Sequence, residues 1–161
     1  MVTAATTSFA QVLLLGALAV LLARAATTDF RHRIISNRLN LAIALLAPLA
    51  WWSAGLPLWP GVFVQLALAT AVFAVFAILF FLGGMGGGDV KLATALALWF
   101  APGDMLRLIL LMSIVGAPIT LAAWADHRRS GQAGRVKVPY GIAIAIGAGA
   151  ILAQRYLNQF G

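Results

Sequence analysis

The sequence predicts an all-α integral membrane protein of about six transmembrane helices, and three observations point there. The chain of 161 residues is 63% hydrophobic and only 9% charged, where a soluble domain carries roughly a quarter charged residues. Its apolar residues fall in runs near the length a helix needs to cross a bilayer, about 20 residues. Its arginines and lysines gather in alternate links between those runs, the pattern that orients a membrane protein. No low-complexity tail or polar domain interrupts the pattern, so residues 1–161 read as one integral-membrane domain.

The first span is expected near Phe9 to Ala26; it lacks a basic start and holds Arg24 at its far end, unlike a cleaved signal peptide. The second runs near Leu39 to Trp52. Pro57 and Pro60 then break the chain, with Trp51, Trp52 and Trp59 placed as interfacial aromatics. The third, near Val62 to Leu82, is almost wholly Ala, Val, Leu and Phe. The fourth, near Asp89 to Phe100, follows a glycine cluster and is short, roughly 18 Å of helix. Such a helix sits at membrane depth only where protein or water covers its backbone ends. The fifth runs near Met105 to Trp124 with Pro118 as an expected kink, and the sixth near Tyr140 to Tyr156.

Sidedness follows from the basic residues. Arg31, Arg33 and Arg38 occupy the first link, Lys91 ends the third, and Arg128, Arg129, Arg135 and Lys137 lie in the fifth. The second link is uncharged and the fourth holds only Asp104 and Arg107. The odd-numbered links are therefore expected in the cytoplasm and both termini outside. The net charge of +7 serves that orientation and contact with anionic lipid; no nucleic-acid module accompanies it, so nucleic acid is not an expected partner. The chain has no cysteine, which removes disulfides, thiolate metal sites and a cysteine nucleophile. His32 and His127 lie far apart, so no metal or other cofactor is expected.

Only four residues are acidic, and all are Asp. Asp29 closes the first apolar run in Asp29-Phe30-Arg31-His32-Arg33-Ile34-Ile35-Ser36-Asn37, and Asp89 follows Gly83-Gly84-Met85-Gly86-Gly87-Gly88. A carboxylate beside a span is costly and suggests function. Asp89 can also be read as a helix N-cap, and Asp29 as an interface residue paired with Arg31 or Arg33. Their shared side of the membrane favours a joint role. Gly86, Gly87 and Gly88 would let a substrate chain approach closely, and helical spacing puts small Ala93 beside Asp89. Lys91 reads as an interfacial cation. The glycines do not end in the Lys-Ser/Thr of a phosphate loop. Two adjacent carboxylates cannot both ionise easily, so the pair shares a proton and can hydrolyse a peptide bond with water. The expected loop position of both acids fits the need for water. Asp104 reads as an N-cap on the opposite side, Asp126 as part of a solvated loop, and Asn37 as a cap of span two or a partner near Asp29. Tyr140 begins the last span after Pro139.

These residues resemble the bacterial type IV prepilin peptidases, most closely the short, tight-adherence-pilus type. Asp29, Arg31, Ile35, Ser36 and Asn37 match that family's Asp-x-Arg-x-x-x-Ile-Pro-Asn, with Ser36 in place of proline. Gly86, Gly88, Asp89 and Lys91 match its Gly-x-Gly-Asp-x-Lys, and Pro139-Tyr140-Gly141 its last span. The resemblance implies an aspartic endopeptidase of the bacterial inner membrane. It would cut the basic leader from a prepilin-like substrate after a glycine, at the cytoplasmic face, with Asp29 and Asp89 as the catalytic pair. Larger family members add a cysteine-bearing methylating domain; its absence here implies cleavage without methylation. The basic links orient the protein rather than grip a basic leader, so substrate contact is expected from its apolar helix, with Gly147 and Gly149 permitting close approach. Two other readings use the same residues: a proton-coupled transporter with Asp29 and Asp89 as relay groups, and a non-catalytic assembly factor.

Overall fold

The computed structural model describes residues 9–129 and 140–160; Arg135, Lys137 and Pro139 lie outside the described residues. The helices are α1 (Phe9–His32), α2 (Asn37–Ser53), α3 (Phe63–Phe81), α4 (Gly87–Ala97), α5 (Pro102–Arg129) and α6 (Tyr140–Phe160). Among the described residues there is no strand, and the protein is an all-α membrane protein. Four helices are long and apolar enough to cross a membrane: Phe9–His32, Leu58–Phe81, Pro102–Ala125 and Tyr140–Leu157. The other two expected spans are shorter. Helix α2 has 17 residues with Pro48 inside it, and α4 has 11.

The short helix is the centre of the molecule. Helix α4 packs against α2, α3, α5 and α6, while α1 packs on α2 and α6. Seven of its 11 residues are buried, Val90, Leu92, Ala93 and Leu96 among them. This meets the requirement the sequence set: a helix too short to span has protein around its ends. At its far end, the indole of Trp51 donates to Leu98 O at 2.7 Å and that of Trp99 to Ile43 O at 2.9 Å. Trp51 thus turns inward instead of lying in an interfacial belt, whereas Trp52 and Trp59 are exposed as expected.

Helix register fixes which ends meet. Gly116 lies against Tyr140 and Gly147 against Leu108 and Leu111, while Arg155 pairs with Asp104, so α5 and α6 run antiparallel. Asp104 stands in the first turn of α5, where it also meets Arg107, rather than acting as a free cap. A Cβ on Gly147 would stand 3.0 Å from Leu108 Cδ1. That glycine therefore serves α5–α6 packing and is not open to a substrate helix; Gly149 faces open space. Helix α5 continues through Pro118.

The chain turns differ from expectation at both acids. Helix α1 runs on to His32, so Asp29 lies in its last turns and not in a loop. Helix α4 starts at Gly87, so Asp89 lies in its first turn and Gly86 is the N-cap. Before it, Gly83 takes a φ of 76°, the left-handed geometry that ends α3 without a Cβ penalty. Its N–H bonds to Phe80 O at 2.8 Å. Ser36 caps α2, accepting from Leu39 N at 3.3 Å. Where the related motif has proline, this chain has a hydroxyl that satisfies a helix start.

Candidate active site

Asp29 faces inward because of helical periodicity. The buried residues of α1 are Leu18, Leu22, Ala25 and Asp29, one stripe at intervals of three and four. The carboxylate extends the apolar face that packs on the core. Asp89 is buried by a different device: the glycines before it bring its helix start under neighbouring backbone. Both side chains are about 5% exposed or less.

The two carboxylates converge on the first turn of α6. Backbone N–H groups of Ile142 and Gly141 face Asp29, and those of Gly86 and Gly141 face Asp89. The charge of Asp29 acts directly on Asp89. Gly141 is thus common to both acids, and the positive end of the α6 dipole lies beside them. Each carboxylate also keeps an oxygen in reserve. Asp29 Oδ2 and Asp89 Oδ1 are buried with no hydrogen-bond partner among the described residues. Orphan acceptors of this kind are costly and mark a place for a proton or a bound group.

Close backbone approach explains the glycines. A Cβ on Gly141 would stand 2.6 Å from Ile35 Cδ1 and 2.8 Å from Asp29 Oδ2. One on Gly88 would stand 3.2 Å from Ile35 Cβ and 3.3 Å from its carbonyl oxygen. One on Gly86 would stand 2.8 Å from Asp89 Oδ2. Gly87 lies against the Phe80 ring. Buried Ile35 is therefore a wedge between Gly88 and Gly141, and it joins the link after α1 to both other parts of the site.

The remaining sequence candidates stand around this centre. Lys91 Nζ donates to Asn37 Oδ1 at 2.8 Å, an exposed tie between the two motif segments. Asn37 opens α2 but Ser36 does the capping. Tyr140 lies between α5 and α6, its ring against Gly116 and its hydroxyl 3.4 Å from Thr120 Oγ1. Three shaping residues had no role assigned from the sequence: Ile35 and Gly141, which stood only as motif matches, and Asn40, which was not singled out. The buried Asn40 donates through Nδ2 to Gly88 O at 3.1 Å, holding the backbone just before Asp89. Its signal was present, since Asn40 shares a stripe with Ile43 and Ala47 on α2. Among the described residues no cluster of His, Cys, Asp and Glu could hold a metal.

Fold and site together define a multi-pass membrane protein with two convergent carboxylates at one end of a helical bundle. The profile of the type IV leader peptidase family matches residues 16–121, more than half the chain and both aspartates, and the protein belongs to that family. Membership makes it a peptidase, a hydrolase embedded in the membrane that acts on prepilin-like substrates. No curated protein and no solved structure matches the chain.

Proposed function

We propose that this protein is an aspartic endopeptidase that removes the basic leader of prepilin-like subunits, cutting after a glycine at the cytoplasmic face of a bacterial inner membrane. Asp29 and Asp89 are the catalytic pair, with Gly86, Gly87, Gly88, Lys91, Asn37 and Tyr140 shaping the substrate side. The observation that supports this most is the meeting of both buried carboxylates at Gly141.

The pair holds one proton between its two acids. The ionised carboxylate takes a proton from water as the oxygen adds to the scissile carbonyl carbon. The protonated partner gives its proton to the carbonyl oxygen, forming a neutral tetrahedral diol. The first aspartate then passes its proton to the departing amide nitrogen, the C–N bond breaks, and a diol hydroxyl returns its proton to the second aspartate as the new carboxyl group forms. Proton count and charge are restored, and neither a covalent intermediate nor a metal is needed.

Sidedness supports a cytoplasmic site. Arg31, Arg33, Arg38 and Lys91 lie at the acid end, while the opposite end of α5 and α6 pairs Asp104 with Arg107 and Arg155. A mass spectrum of the processed prepilin tests the reading. The expected N-terminus begins one residue after a glycine and is unmethylated. An uncut leader would overturn it.

A further inference from the structure

A groove of about 410 Å³ opens on the side of the bundle, away from α1 and α6. Its floor is α4 and the residue that caps its end, through Ala95 and Leu98, and its walls are α2, through Leu41 and Ala44, and α3, through Phe73. Helix α4 packs on both α2 and α3, but those two have no comparable packing on each other, so the walls stand apart. Leu41 and Phe73 are more than half exposed or nearly so, at 57% and 50%. The lining is almost wholly apolar except at one end, where Asn37, Asn40 and Lys91 stand.

That polar end stands at the same end of α4 as Asp89, on the opposite face of the helix. Asn40 bonds to Gly88 O, and Gly88 precedes Asp89. Asn40 is 5% exposed, and its Oδ1 has no partner among the described residues. A buried acceptor without a partner suits a backbone N–H. The first four N–H groups of any helix lack partners within it, and at membrane depth they need an acceptor.

We infer that the α2–α3–α4 groove receives the apolar helix of the substrate, with the start of that helix at Asn40 and the residues before it passing round the start of α4 to bring the scissile bond to the acids. The inference rests on the peptidase reading above. Groove length along α2, from Asn37 to Ala44, corresponds to about 10 Å or two helical turns. That is enough to set the register of the helix start against Asp89. A lipid chain would suit the walls but has no N–H to offer Asn40.

Photo-cross-linking tests this with the full chain in a bilayer. Benzoylphenylalanine is placed singly at Ala44, Phe73, Leu110 and Ile114 in the Asp89→Asn protein, and a full-length prepilin is the probe. Leu110 and Ile114 are exposed residues on α5, at 64% and 69%. Adducts are expected at Ala44 and Phe73 in roughly tenfold excess over the α5 positions. In the otherwise unaltered enzyme, Ala44→Trp should raise KM roughly tenfold with little change in kcat, the mark of lost substrate binding. Adducts at the α5 positions without adducts in the groove would overturn the inference, provided the wild-type protein cuts the same prepilin. A wild-type protein that leaves it uncut would overturn the peptidase reading and this inference together.

Discussion

Gly141 shows how much of the site rests on single atoms. It supplies backbone to both carboxylates, and a Cβ there would press on Asp29 Oδ2 at 2.8 Å and on Ile35 at 2.6 Å. Gly141→Ala is expected to lower cleavage by roughly tenfold or more, since small misplacements of catalytic groups cost about that much or above. It should also destabilise the fold by about 1–3 kcal/mol, the usual cost of overpacking; cleavage assays beside thermal melts in detergent would separate the two effects. Asn40→Leu leaves Gly88 O without its donor, with an expected stability loss of about 1–3 kcal/mol, readable in the same melts. Asn37→Ala, by contrast, removes only an exposed tie to Lys91 and should shift stability by no more than about 0.5 kcal/mol. The two aspartates and the glycine run were legible from residue type and spacing alone. The roles of Gly141, Ile35 and Asn40 were not legible, because they depend on approach between distant segments, which local pattern does not contain; Gly141 and Ile35 stood only as motif matches. Asn40 was the nearest to legible: a polar residue on a buried stripe asks for a partner.

At the scale of the helix, the expectation of a short, covered fourth element was correct, and its reason was physical. A helix of 11 residues cannot span, so its neighbours must enclose it. Helix ends were read less well. Asp29 was placed beyond a first span expected to end near Ala26, yet the helix continues to His32. The hydroxyls of Thr27 and Thr28 bond back to Ala23 O and Arg24 O, at 2.7 Å and 3.0 Å, so they do not interrupt it. The role given to Gly147 also changed, because α5 already fills the space above it. Gly147→Leu is therefore expected to separate α5 from α6 and to destabilise the protein by about 1–3 kcal/mol. Trp99→Phe loses the bond to Ile43 O, with an expected cost of about 1 kcal/mol. Thermal melts of the two variants would show whether α5 packs on α6 at Gly147 and whether the far end of α4 is held by Trp99 as described.

The whole molecule is a helical enclosure around one short helix, with Asp29, Asp89 and most of its described arginines at one end. The chain lacks cysteine, so single cysteines report sidedness cleanly. A cysteine at Ile34 should react with an impermeant thiol reagent only from the cytoplasmic side, and one at Gly103 only from the other. The central claim is that Asp29 and Asp89 act as one hydrolytic unit, and coexpression with a prepilin tests it most directly. Wild type should remove the leader, while Asp29→Asn and Asp89→Asn should each lower the rate by at least roughly 10²-fold to 10⁴-fold, and the double variant should be little slower than either one. Normal processing by either single variant, present in the membrane at wild-type level, would contradict the account.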